Sequence, residues 1–472
     1  MKEYEVVIGI ELHAELNTQS KLFCSCKNEY GAMQNTLVCP VCMGLIGSLP
    51  RLNKKALELA VMTGLVLNSN ITEHTVFERR NYFYPNLPKG YQITQRTSPI
   101  CTGGGIRLDS GKLIKINRIH LEEDSGKIIN GGDEYSYIDF NRSGVPLVEI
   151  VTEPMLSNTD EVVEFVTKLK DKLVFSGISD CRMEEGGLRL DVNMSIREKK
   201  FGELGTRVEL KNLSSFKTLA KAIDFETRRQ LKELESGNPV KKETRIWNDE
   251  LSRTYAIREK EEAKDYRYFP DPDLKPVHIT KEEIENIGSL IPESKGEKVN
   301  RYSALGISEN AIAVLTSEKS IADYFDKVLS LTNAPTETAN WIITEILRIT
   351  KELNRLSISQ IISEENLAQI ILLVLDEKIS RTNAKILLNE VVSSGKPTSA
   401  VVKELELLGG VEDNDIIDFI NSELSARPEI KEEYKESVDN VTNYIIGKVM
   451  YSTNGKASPE KVKDILNQLL NK

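Results

Sequence analysis

The feature that most limits what this chain can fold into is a change of hydrophobic period near residue 290. Before it, short runs alternate apolar with polar residues, as where Ile8, Ile10, Leu12 and Ala14 interleave with Glu11, His13 and Glu15, the two-residue period of a half-buried strand. Turn clusters such as Gly103-Gly104-Gly105 and Asn130-Gly131-Gly132 punctuate these runs. Three stretches there switch to helical spacing: residues 52–67 (Ala56, Leu59, Ala60, Thr63), Thr159 to Phe175 behind a Ser/Asn/Thr cap region, and Ser214 to Glu235. Pro270, Pro272 and Pro276 enforce extended backbone and end the region. After Pro292 almost every segment reads as an amphipathic helix, including Thr338 to Leu353, Glu365 to Leu375 and Arg381 to Val392, with a break at Ser393-Ser394-Gly395-Lys396-Pro397. The expected class is α+β. A β-rich domain over 1–293 precedes an all-α domain over 294–400 and a small, acidic all-α tail over 401–472, since 472 residues exceed what one core organises.

A net charge of −10 excludes the all-round basic surface of a non-specific nucleic-acid binder. It leaves room for a local basic face such as Arg79, Arg80, Lys89 and Arg96 to meet phosphates. No apolar run approaches the roughly 20 residues needed to span a bilayer, and the longest, Ile370 to Leu375, fits a buried helix segment. The opening Met1-Lys2-Glu3-Tyr4-Glu5 has no apolar leader, so a cytoplasmic location is expected. In that compartment six cysteines do not make a disulfide framework.

Four of the cysteines cluster. Cys24-x-Cys26 and Cys39-x-x-Cys42 are close pairs twelve residues apart, each able to form a tight knuckle, so that four thiolates can converge tetrahedrally on zinc. Such a closed site has no open position for substrate, and a structural role is expected; reduced, unligated thiols are the alternative. Cys101 and Cys181 lie apart and read as small apolar residues.

Acids also recur on strand-like segments. Asp191 and Asn193 alternate with Leu190, Val192 and Met194, Glu209 and Lys211 alternate with Val208 and Leu210, and Glu149 stands between Val148 and Ile150. The solvated face of an antiparallel sheet accounts for any one of them. Four such strands with mainly acidic ends, one bearing Glu11-x-His13, point instead to a shared concave face for hard cations, and oxygen donors suit Mg²⁺. The run His120-Leu121-Glu122-Glu123-Asp124-Ser125-Gly126-Lys127 gains weight only in that company, because clustered charges ordinarily just solvate a turn. There is no P-loop, no dinucleotide fingerprint and no kinase motif set, so any ATP must sit in a metal-rich cradle of another kind. Nor is there an amidase segment or a Cys-His-Asp set for glutamine hydrolysis; ammonia would have to come from elsewhere.

Six ordered motifs resemble one known family. Ile8-Gly9-Ile10-Glu11-Leu12-His13, Arg79 to Pro85 continuing through Gly90 to Gln95, His120 to Lys127, Asp139 to Ile150, Glu209-Leu210-Lys211-Asn212-Leu213 and Asp265 to Pro270 look like the B subunit of aspartyl/glutamyl-tRNA amidotransferase (GatB). The likeness continues through Ala322-Asp323-Tyr324-Phe325 to Gly447-Lys448-Val449-Met450.

The resemblance implies a cradle-shaped kinase and amidotransferase domain, a helical linker domain, and a tail that contacts the tRNA body. It implies partners: an amidase (GatA) that releases ammonia from glutamine, a small third chain (GatC), and mischarged tRNA(Gln) or tRNA(Asn). It places Mg²⁺ ligands at positions matching Glu11, His13, Glu123, Glu149 and Asp191, and it matches the cysteines to a zinc-bearing version of the family. Lys211 and Arg79 are then expected as electrostatic stabilisers near ATP. Two departures stand out: Asn86 follows Tyr84-Pro85 where the family commonly has Asp, and Arg80 stands where Lys is frequent; Asn86 removes a potential charge, so no catalytic role is expected of it. The rival readings are a non-catalytic tRNA-binding scaffold and a carboxylate-amine ligase acting on a free metabolite.

Overall fold

The computed structural model describes residues 3–130, 135–199, 203–259, 266–354, 357–405, 407, 413–453, 457 and 459–470; Gly131, Gly132 and Asp265 lie outside the described residues. The chain divides into two compact units between Lys295 and Gly296.

The first unit is built on a ten-stranded sheet. Its long Tyr4–Glu15 strand pairs antiparallel with Leu188–Glu198 on one side and with Pro146–Thr152 on the other. Leu113–Glu123 adds beyond Pro146–Thr152, and Val208–Lys211 adds beyond Leu188–Glu198. The pairing of Tyr4–Glu15 with Leu188–Glu198 runs unbroken from Tyr4 opposite Glu198 to Ala14 opposite Leu188. A register that long decides which side chains share a face, because a slip of one residue would turn every one of them over.

Alternation sends Ile8, Ile10, Leu12 and Ala14 into one core with Val148, Ile150, Leu190, Val192, Met194, Ile119 and Leu121. The apolar stripes of three helices join that core: α1 (Lys54–Val66) through Leu59 and Ala60, α2 (Thr159–Phe175) through Phe165 and Leu169, and α3 (Phe216–Glu235) through Leu219 and Ile223. Asn53, Asn158 and Ser215 cap these helices by accepting from first-turn backbone N–H groups, which fixes their starts within two residues of where the periodicity puts them. With the apolar side of the sheet covered, the polar side is left for chemistry. A separate three-stranded sheet pairs Glu78–Asn81 with Tyr91–Thr94 and with Phe269–Pro270, the proline lying at the edge, where its missing N–H breaks no ladder.

The second unit is helical and holds two distinct cores, one drawn from Tyr302 to Leu407 and one from Ile416 to Leu466. The helix expected over Thr338–Leu353 is three consecutive pieces, Pro335–Trp341, a π-helical turn at Ile342–Ile346, and Leu347–Glu352. Glu364–Leu375 and Arg381–Ser394 form as the periodicity indicates, the second stopping at Gly395, whose φ of 67° is the left-handed conformation that ends helices. Among the described residues no helix is long and apolar enough to cross a membrane.

Candidate functional site

The register assembles the polar face. His13 stands opposite Glu149, Glu149 opposite His120, Glu11 opposite Asp191, and Asn193 opposite Glu209. Directly opposed side chains on one face of an antiparallel pair sit within contact range, so five strands deliver one band of charge.

Within the band are two clusters whose ligand atoms lie within 4.8 Å of one another: His13, Glu122 and Glu149, and Glu11, Asp191 and Glu209. In the first, His13 Nε2 lies 3.3 Å from both Glu122 Oε1 and Glu149 Oε2, and His120 Nε2 lies 3.1 Å from Glu149 Oε2. Arg118 flanks Glu149 at 3.8 Å. In the second, Asn193 donates to Glu11 at 2.8 Å, Thr244 donates to Glu209 at 2.8 Å, and the Lys211 ammonium pairs with Asp191 and lies 3.4 Å from Glu209.

These groups titrate abnormally, and the cause is local. Burial pulls the imidazolium of His13 down, yet its hydrogen bonds to Glu122 and Glu149 overcome burial and hold its pKa well above the ordinary histidine value. His120 is pushed up to about 9 against burial, chiefly by Glu149. Burial raises Glu122, but the bonds to His120 and His13 bring it to about 2, and Glu149 falls well below its usual range through His120. Glu11 shifts the other way: burial, then repulsion from Glu149, Asp191 and Glu209, raises it. Protons here gather where positive charge is wanted. The set fits a divalent cation in donor chemistry, and it is not closed upon itself, since His120 Nδ1 is buried without a hydrogen-bond partner among the described residues.

The structure brings together Glu11, His13, Glu149, Asp191 and Lys211 from the expected set. It does not bring Glu123, also expected as a ligand, into either cluster. Neighbours on a strand point to opposite faces, so Glu122 joins His120 on the polar side while Glu123 follows Leu121. There Glu123 pairs with the Lys89 ammonium and accepts from Ile93 N at 2.9 Å, both groups buried. Arg79 is likewise engaged elsewhere: on the three-stranded sheet it bonds Asp271 and Asp273, each at 2.8 Å, and stacks on Tyr91. Glu122 and Glu209 complete the clusters in its place. The signal for Glu122 was available, since Leu121 sets the phase of its strand.

Two further groups border the face. Asp124, buried, pairs with both Arg142 and Arg189. Gly186 makes room for this, because its φ is +72° and a Cβ there would lie 2.6 Å from the Arg142 guanidinium. Asn86 donates to Ser125 Oγ at 3.1 Å and to Gly126 O at 2.7 Å, pinning the turn after Asp124; an aspartate in that rotamer could do neither.

The cysteines form a separate site. Cys24, Cys26, Cys39 and Cys42 place their sulfurs within 4.8 Å of one another, and none is in a disulfide. Cys39 N donates to Cys42 Sγ at 3.2 Å, the N–H···S bond of a knuckle turn. The Cys42 thiol is drawn down to about 5, first by its hydrogen bond with Cys24 and with help from Lys21, while burial opposes; Cys24 is pushed up in return. Four converging sulfurs of this geometry can hold one soft or borderline metal ion, and zinc is compatible with them. Cys101 and Cys181 are buried core residues, as expected.

In class, then, this is an α+β protein whose central sheet covers one side with helices and gathers two metal-competent acidic clusters on the other. Residues 6–285 match the GatB/GatE catalytic domain, and residues 323–470 match the GatB domain. Over the full length of both chains, it is 45% identical to the B subunit of aspartyl/glutamyl-tRNA(Asn/Gln) amidotransferase from Caldicellulosiruptor bescii and equally to that from Caldicellulosiruptor saccharolyticus. It is 42% identical, again over all of both chains, to the protein of that name from Thermoanaerobacter pseudethanolicus. The chain belongs to the GatB family.

Proposed function

We propose that this chain is the ATP-using component of a tRNA-dependent amidotransferase. It phosphorylates the side-chain carboxylate of Glu-tRNA(Gln), Asp-tRNA(Asn) or both, and amidates the resulting acyl phosphate with ammonia from a partner glutaminase. The observation that carries this is the pair of acidic clusters on one sheet face. A carboxylate cannot lose oxide to ammonia at neutral pH. Transfer of the γ-phosphoryl group of ATP to a carboxylate oxygen gives acyl phosphate and ADP; attack of ammonia at the carbonyl carbon then expels phosphate and leaves the amide.

Glu122, Glu149 and His13, with Glu11, Asp191 and Glu209, would hold Mg²⁺, which when bound neutralises phosphoryl oxygens. What the chain's own groups contribute is position. Lys211 and Arg118 flank the clusters with positive charge for an anionic substrate. His13 acts as ligand and orienter rather than base, because the attacking carboxylate has no proton to give. Residues 294–400 serve as a helical linker domain and 401–472 as the tail that meets the tRNA body. The amidase GatA and the small protein GatC complete the assembly, and zinc in the cysteine site staples the loop between residues 24 and 42.

The test is to incubate the reconstituted complex with mischarged tRNA, glutamine and γ-labelled ATP. Amide and phosphate should form together and be lost together when Asp191 or Glu149 is replaced by alanine. ATP cleavage that tRNA does not stimulate, even with the partners present, would favour a scaffold role instead.

A further inference from the structure

Lys21 is fully buried, at 0% exposure, among the largest side chains wholly removed from solvent. It lies on the segment that leads into Cys24, with its backbone N–H on Cys26 O at 2.9 Å. Its ammonium donates to Phe140 O at 3.2 Å and lies 3.8 Å from Cys42 Sγ. Among the described residues it has no carboxylate at ion-pair distance. A buried ammonium answered only by a carbonyl dipole is strongly disfavoured unless a negative charge meets it, and the sulfur of Cys42, 3.8 Å away, is the group in place to supply one.

The surroundings hold the ammonium there. Gly144, at a φ of +87°, would place a Cβ 3.5 Å from both Cys42 Cβ and Lys21 Cδ, so its backbone packs closely against the lysine stem and Cys42 together. Phe140 opens the turn whose Asn141 donates to Met33 O at 2.7 Å and accepts from Leu37 N at 2.8 Å. The turn that accepts from Lys21 is thus also bound to the loop between the two cysteine pairs. Four thiolates around a divalent ion leave two net negative charges in a partly buried site, and one buried cation answers half of that excess.

We propose that Lys21 is a positioning residue of the cysteine site: the buried counter-cation that neutralises part of its thiolate charge and ties it to the Phe140 turn. The inference rests on the reading of the four cysteines as a metal site. Outer partners of metal ligands govern how long the metal stays, and losing one typically weakens binding roughly 10- to 100-fold.

The experiment uses the full chain and measures zinc content, then zinc release to a chromophoric chelator at neutral pH, for the wild type, Lys21→Met and Lys21→Arg. Methionine keeps the apolar stem without the charge, and arginine keeps the charge. Lys21→Met should release zinc at least roughly tenfold faster, and Lys21→Arg should stay close to the wild type. Should Lys21→Met fail to fold, Lys21→Gln, a neutral donor, takes its place, with circular dichroism in excess zinc as the folding control. Wild-type release rates from a folded, uncharged variant overturn the role of Lys21. A wild-type chain that carries no stoichiometric zinc overturns the metal site itself, a distinct result.

Discussion

The cysteine site and the acidic face lie in the same unit, and they balance charge in opposite ways. The cysteine site draws four soft donors from one short stretch of chain and places a single buried lysine behind them. The acidic face draws hard donors from five strands spread between Glu11 and Glu209, and two imidazoles, one lysine and one arginine share its surplus negative charge. A site closed by local sequence is suited to keep one ion for the life of the fold. A site assembled from distant strands is rigid because the sheet is rigid, and it remains open to a substrate that brings its own phosphates.

The largest effect should separate the two sites outright. Asp191→Ala should lower amide formation by more than about 100-fold, beyond what the loss of an outer-shell partner costs, with the melting temperature nearly unchanged. A Cys39→Ser/Cys42→Ser double variant should show the reverse: zinc lost, melting temperature lowered, and activity per folded molecule preserved. Turnover assays paired with calorimetry on the same samples decide the matter, and a well-folded but inactive cysteine variant would erase the contrast.

A smaller effect sharpens the division along one strand. Glu122→Gln should raise the magnesium concentration needed for half-maximal ATP cleavage. Glu123→Gln should leave that concentration unchanged while destabilising the fold by about 3–5 kcal/mol, the usual consequence of removing one partner from a buried ion pair. Magnesium titrations and denaturant melts of the two variants check it.

The smallest effect is on pH. Without metal, His13 and His120 both have raised pKa values in the folded chain, so the stability they contribute is complete below about 6.5 and is lost as pH rises, for His120 through about 9. Glu122 and Glu149 are depressed, so their contribution is complete above about 4.5 and is lost as pH falls, for Glu122 through about 2. Chelator-treated protein should therefore lose stability between pH 6.5 and 9, and excess magnesium should flatten that decline. Melts at several pH values, with and without magnesium, measure both slopes.

Much of this was legible in the sequence, for a physical reason. Alternation is a local property, so Ile8 to Glu15 and Leu190 to Met194 disclose their faces without any knowledge of their partners. The cysteine pairs are close in sequence, and their convergence follows from chain geometry. Legibility ended where a choice depended on phase or on long-range pairing. Glu122 and Glu123 are chemically identical neighbours, and likeness to a family motif favoured the one that Leu121 turns away from the face. Arg79 reads as a free cation until the Phe269–Pro270 segment folds back and brings Asp271 and Asp273 to it. The π-turn at Ile342–Ile346 leaves no mark on an apolar period that ordinary helix also satisfies.

The most direct measurement is electron paramagnetic resonance of Mn²⁺, a spectroscopic stand-in for Mg²⁺, titrated into the intact complex with a non-hydrolysable ATP analogue. If the two carboxylate clusters grip metal against the triphosphate, the wild type will show bound manganese whose signal sharpens with the analogue, and Glu149→Gln together with Asp191→Asn will lose it. An unaltered spectrum from that folded double variant would place the metal, and the phosphoryl chemistry with it, somewhere other than this sheet.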